Sequence, residues 1–214
     1  MSDATTGATE TAVFAYELGH LKMVSRSGWR RIGIGDGENV AAHSWRAAVL
    51  AFVIAVGEGA DPERAAVLGL FHDVPEARYG DVDAVGKPYV KTVPATEVAA
   101  DQTSSLPVEL AERIRGAIAE HESSKRPGAS KEAMCSRDAD KLELLLTARE
   151  YQEAGRAPKS IGRYIESMIP MITTATGQAL RDAALHTDPS AWWDDFATRF
   201  GTPAASERPF KVAK

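Results

Sequence analysis

His72 and Asp73 stand side by side where an apolar stretch, Ala65 to Phe71, gives way to Val74-Pro75-Glu76. Burying an imidazole and a carboxylate there is costly unless each finds a partner or the two share an ion. Two more residues of the same chemical kinds lie at a distance: His43 inside another apolar run, and Asp140 at the head of a third helical pattern. Together they offer two nitrogen and two oxygen donors, a plausible set for one divalent ion. Mn²⁺, Fe²⁺, Co²⁺, Ni²⁺ or Zn²⁺ suits such a mixed set better than Mg²⁺ or Ca²⁺. Each residue alone has an ordinary alternative. His43 could be a hydrogen-bonded core histidine, Asp73 could pair with Arg46 or Arg78, and Asp140, like Asp138, could be a charge favoured by a helix dipole. Their joint occurrence on three helices is the stronger signal.

Those helices follow from periodicity. Val13 to Val24 carries Phe14, Leu18 and Leu21 at helical spacing, and Ser25 to Glu38 is a glycine-rich loop. Val40 to Val56 is apolar nearly all round, the mark of a central, enclosed helix. Asp61-Pro62 caps and opens the helix that leads to His72. Leu106-Pro107 opens another that runs toward His121, Lys131 to Ala154 reads as one long helix, and Ser160 to Leu185 is helical with a break at Pro170. Alternating β-branched runs are missing. The expectation is an all-α bundle: a loose N-terminal tail over residues 1–11, one domain over 12–200 and a C-terminal tail over 201–214.

With 214 residues, 44% of them hydrophobic, one sizeable core is affordable. A net charge of −5 gives no footprint for a nucleic-acid polymer or an anionic membrane, although a local basic pocket for one phosphate remains open. The expectation is also that no apolar run reaches spanning length and that the chain's start is not a targeting signal. Cys135, the single cysteine, is read as a packing residue in a reducing compartment, so the cytoplasm is expected. Gly33-x-Gly35-x-Gly37 lacks the Lys-Ser/Thr ending of a phosphate loop and is read as a connection.

The order His43, His72-Asp73, Asp140 resembles that of HD-domain metal-dependent phosphohydrolases, and more closely their 5′-deoxynucleotidase subgroup. The matching segments are Leu18-Gly19-His20-Leu21-Lys22, Arg26-Ser27-Gly28-Trp29, Glu38-Asn39-Val40-Ala41-Ala42-His43-Ser44, His72-Asp73-Val74-Pro75-Glu76 with Gly80-Asp81, and Ala139-Asp140-Lys141-Leu142 with Ala148-Arg149-Glu150-Tyr151. The bare H…HD…D order is loose, whereas HD-x-x-E-x-x-x-G-D in register with the upstream arginine and tryptophan is far more specific. The resemblance implies an HD-domain helical bundle and selects Asp140 over Asp138 as ligand; Asp140 also shares a helical stripe with Leu144 and Tyr151. It implies that Glu76 orients or deprotonates the attacking water and that Asp81 helps protonate the leaving 5′-oxygen, exposed loop acids being the alternative for both. Arg26 occupies the family's arginine position, and its planar fork suits two phosphate oxygens. Trp29 could pack on a sugar or base, or equally anchor the core. Lys87 and Lys91 are weaker phosphate candidates, and Glu120 and His121 could border the pocket.

One metal ion and a small nucleotide substrate are thus expected, with hydrolysis of a (deoxy)nucleoside 5′-monophosphate as the reaction. A triphosphohydrolase and a non-catalytic nucleotide-binding protein are the rivals. A homodimer is expected from the resemblance, with Met168, Met171 and the apolar residues of 160–185 as one candidate surface. Trp192-Trp193 could form an interface or pack on the domain's own last helices.

Overall fold

The computed structural model describes residues 3–200, and the expected C-terminal tail lies outside them. The all-α expectation holds. Helix α1 spans Asp3–Gly19, α2 Ser27–Arg31, α3 Val40–Glu58, α4 Pro62–Phe71, α5 Glu76–Tyr79, α6 Ala95–Gln102, α7 Val108–Glu122, α8 Lys131–Glu153, α9 Pro158–Met168, α10 Ala175–His186 and α11 Ala191–Phe200. Among the described residues the only β pairing is an isolated antiparallel bridge, Ser25 with Asn39.

Helix ends fall where the chain supplies caps. Asn39 accepts from the Ala42 amide at 2.9 Å, Asp61 from the Arg64 amide at 2.9 Å, and Ser130 from the Ala133 amide at 3.1 Å. Gly59 closes α3 in the left-handed region at φ 63°.

Helices α3, α4 and α8 pack together as the centre of the fold. Ala51, Ile54 and Ala55 of α3, Ala65 of α4, and Cys135, Ala139 and Leu142 of α8 form one buried cluster, closed by Ile172. Small residues at these crossings let the backbones approach. A Cβ added to Gly69 of α4 would meet the Ala48 Cα at 3.0 Å, so this glycine sets the spacing of α3 and α4.

Two expectations are corrected. The residues assigned to a loose tail, 1–11, are helical from Asp3 onward, as the front of α1. Their small, polar side chains give no apolar period, yet Thr11 bonds back to the Gly7 carbonyl at 2.6 Å and Gly7 sits against Pro107. Helix α3 is not enclosed all round: Trp45, Val49, Phe52, Val53 and Val56 are 41–65% exposed along one face. With 19 residues and a mean hydropathy of 1.6 it is also long and apolar enough to cross a membrane by length and composition, more than the sequence reading allowed. Its other face is closed by α4 and α8.

Candidate metal centre

Three packed helices bring the predicted ligands to one point. His43 projects from the first turns of α3, His72 and Asp73 follow the end of α4, and Asp140 lies in the first half of α8. The His43 Nε2 is 3.7 Å from an Asp73 oxygen and 3.3 Å from Asp140 Oδ1. The His72 Nε2 lies 3.1 Å from the same Asp73 oxygen and 4.0 Å from Asp140 Oδ1. Donor atoms about 2.0–2.2 Å from one ion span separations of about 3–3.5 Å, so the set is close to a coordination shell.

The ring nitrogens carry the fit. Both Nε2 atoms are buried without a hydrogen-bond partner, whereas each Nδ1 is engaged: His72 with the Gly69 carbonyl at 2.8 Å and His43 with Glu143 Oε2 at 2.5 Å. An Nδ1–H donated to oxygen leaves the Nε2 lone pair for an ion. The donor set suits a divalent metal.

Asp138 is separated from Asp140 by its partners. It is fully buried and accepts from the amides of Thr173 and Thr174 at 2.8 and 2.6 Å, pinning the segment that opens α10. Asp140 faces the histidines and is also bonded by Lys141 at 2.6 Å.

On the Asp73 side, the bridge of Ser25 to Asn39 and the Arg26 amide bond to the Glu38 carbonyl fold the loop back. That brings Arg26 among three acids: Asp73 at 3.0 Å, Asp81 at 3.5 Å and Glu76 at 3.9 Å. Asp81 Oδ2 accepts from the Ser27 amide at 2.6 Å and its hydroxyl at 2.9 Å. Glu76 Oε2 is buried without a hydrogen-bond partner, and burial together with Asp73 and Asp81 pushes its carboxyl up to about 9. Burial and Arg26 oppose a charge on His43, but Asp140 and Glu143 outweigh them and lift it to about 9. Burial also opposes the charge of Asp73 and Asp140; the first is nevertheless held well below the usual carboxylate range by His72 and Arg26, the second by Lys141 and His43.

The remaining candidates divide. Trp29 is only 1% exposed, so a contact with a sugar or base is closed to it. Its ring packs on Tyr151 and Tyr164, and its Nε1 donates to Glu38 at 3.0 Å, which anchors the Arg26 loop from inside the core. Lys87 and Lys91 are exposed and have no side-chain partner among the described residues. Glu120 is taken by Arg64 and Ser130. His121 lies against His72, ring centroids 4.8 Å apart, and burial and that neighbour push it down to about 3, so it adds no cation. The sequence reading missed Lys141 and Glu143. The signal for Glu143 was a carboxylate three residues after Asp140 on one helical face, inside Leu142-x-Leu144-Leu145-Leu146. A cavity of about 410 Å³ elsewhere, between α1, Arg78 and residues 101–106, is lined by none of the candidate ligands.

Comparison with known proteins agrees with this geometry. A model of the HD domain matches residues 18–172. The human protein 5′-deoxynucleotidase HDDC2 is 30% identical over 163 residues, 75% of this chain and 78% of that one. The Vibrio vulnificus 5′-deoxynucleotidase VV1113 is 30% identical over 68% of this chain and 77% of its own length. Among solved structures, the predicted coding region AF1432 of Archaeoglobus fulgidus superposes with a TM-score of 0.57 at 26% identity, covering 86% of this chain and 99% of that one. A predicted metal-dependent phosphohydrolase from Magnetospirillum magnetotacticum shares the fold, with a TM-score of 0.64 at 24% identity over 86% of this chain and 95% of that one. The chain described here belongs to the HD domain family.

Proposed function

We propose that the protein is a metal-dependent 5′-deoxynucleotidase that hydrolyses a (deoxy)nucleoside 5′-monophosphate to nucleoside and phosphate. One observation carries the reading: two orphaned imidazole nitrogens and the Asp73 and Asp140 oxygens converge beside Arg26, Glu76 and Asp81. The relatives described as 5′-deoxynucleotidases support the substrate class.

His43, His72, Asp73 and Asp140 would hold one divalent ion of the Mn, Co, Fe, Ni or Zn type. Such an ion supplies a Lewis acid for a phosphoryl oxygen and lowers the pKa of water. Arg26, planar and buried among acids, grips the phosphate and fixes its orientation. Glu76 takes the proton of the attacking water; burial, Asp73 and Asp81 favour its protonated form, and a cation held at Asp73 would favour the carboxylate. As the phosphorus–oxygen bond to the 5′-oxygen breaks, the proton that Glu76 took from water passes by way of Asp81, steadied by Ser27, to that oxygen. Lys87 is left as a contact for substrate entering from the surface.

A homodimer fits the exposed apolar face of α3 better than Met168 and Met171, which are partly covered by their own chain. The free, buried Cys135 agrees with a reducing cytoplasm.

A screen of nucleoside 5′-mono-, di- and triphosphates with Mn²⁺, Co²⁺ and Mg²⁺ tests the function through its products. Inorganic phosphate released from dAMP supports it. Triphosphate released from dATP with no turnover of dAMP, or nucleotide binding without hydrolysis under any of the three ions, overturns it.

A further inference from the structure

We infer that Glu143 is a positioning residue that fixes which nitrogen of His43 is presented to the metal, and that Arg46 fixes Glu143. The inference rests on the metal reading of the site. His43 and Glu143 are both 0% exposed, so neither can turn to water for a partner. The two oxygens of Glu143 have unlike surroundings. Oε1 accepts from Arg46 Nε at 3.0 Å, Arg46 Nη2 at 2.8 Å and the Thr147 hydroxyl at 2.9 Å, three donors and no acceptor. Among the described residues Oε2 has one hydrogen-bond partner, the His43 Nδ1 at 2.5 Å, and the Glu38 carboxylate is a further neighbour of the pair. Arg46 is itself anchored to Glu150 of α8 at 2.5 Å, so the fork cannot swing away without losing a second pair.

A carboxylate in this position can only accept, so Nδ1 keeps a hydrogen, and the proton lost when the ring becomes a ligand is the one on Nε2, the nitrogen that faces Asp73 and Asp140. His72 needs no such partner, because the Gly69 carbonyl of its own helix does the same work. The isosteric amide reverses the arrangement. In Glu143→Gln the carbonyl oxygen stays with the three donors around Oε1, since an NH₂ there would face two N–H groups of Arg46, which cannot accept. The NH₂ then meets Nδ1, which must accept, and the ring hydrogen moves to Nε2, where it covers the ligand lone pair. Glu143→Asp does the opposite: it is shorter but remains a pure acceptor.

Zinc affinity, measured by competition with a chromophoric chelator on protein with a native near-ultraviolet circular dichroism spectrum, separates these roles. The expected order is wild type, then Glu143→Asp, then Glu143→Gln, with the glutamine variant weaker than wild type by about 10–100-fold. A glutamine variant within about twofold of wild type overturns the inference, as does one that binds more tightly than the aspartate variant, because side-chain size rather than acceptor character would then matter. Wild-type protein that takes up no zinc overturns the metal reading itself and this inference with it. If Glu143→Gln does not fold, nitrogen-detected spectra of zinc-loaded, ¹⁵N-histidine-labelled wild type decide: a hydrogen on His43 Nδ1 supports the inference and one on Nε2 overturns it.

Discussion

The two faces of α3 are built from the same kind of residue and end in opposite environments. Inward, His43, Ala47, Ala51, Ile54 and Ala55 are sealed by α4 and α8, with small side chains where the helices cross and one imidazole at the metal centre. Outward, Trp45, Val49, Phe52, Val53 and Val56 form a stripe at spacings of three, four and one that is 41–65% exposed among the described residues. The inner face buys close approach: only alanines and glycines let three helices come near enough for His43, His72 and Asp140 to meet. The outer face is bulky, suited to filling a space between bodies rather than between crossing helices. Side-chain size, more than hydrophobicity, distinguishes the face that builds a site from the face left exposed.

The largest effects should come from the inner face. Asp140→Ala removes a ligand and should abolish metal uptake and hydrolysis in protein that still folds, whereas Asp138→Ala should keep most of both and lose about 1–3 kcal/mol of stability, because the Thr173 and Thr174 amides lose their acceptor. Metal content and urea unfolding of the pair read the contrast, and the reverse outcome would exchange the two roles. Gly69→Val should cost about 1–3 kcal/mol or more and weaken metal binding as well, since the new side chain meets Ala47 and Ala48 backbone atoms and parts α3 from α4. Undiminished metal affinity would show that the crossing does not set the site.

On the outer face, Phe52→Asp should turn the proposed dimer into a monomer by sedimentation while changing hydrolysis and monomer stability little, within about 0.5 kcal/mol for the latter. Unchanged mass would remove α3 as the interface. The smallest effect lies away from both faces, where Glu17 of α1 bonds Arg78 of α5 at 2.6 Å. The Arg78 hydrogen bond holds the Glu17 carboxyl below its ordinary value despite some burial. Its contribution is therefore full above the unfolded carboxyl value of about 4.3 and fades as pH falls through the lower folded value. Glu17→Gln should cost no more than about 1 kcal/mol near neutral pH, and the difference from wild type should close on acidification, which parallel urea titrations would show.

Much of the centre was legible in the sequence because its residues break local rules: His72-Asp73 interrupts an apolar run, and His43 sits where only packing residues are expected. Asp140 needed the family pattern to be told from Asp138, since on one helix the two differ only in which neighbour they face. Trp29 was ambiguous for a related reason: an indole beside an arginine serves a substrate or a core equally well until the packing of Tyr151 and Tyr164 is known. Glu143 looked like an ordinary polar position on an amphipathic helix, and only its partner 100 residues away reveals its role. The front of α1 escaped notice because tertiary contact with Pro107, rather than periodicity, accompanies its helical form. The division of α3 into two faces escaped the sequence reading because hydrophobicity is nearly uniform around the helix; the signal that went unused was side-chain size, with Ala47, Ala51 and Ala55 on one face and Trp45, Val49 and Phe52 on the other.

Anomalous diffraction from crystals loaded with Mn²⁺ or Zn²⁺ tests the central claim most directly. The account predicts one peak per chain, about 2 Å from the His43 and His72 Nε2 atoms and from oxygens of Asp73 and Asp140. A site lacking any peak, or one displaced to the neighbouring group of Glu38, His43 and Glu143, would contradict it.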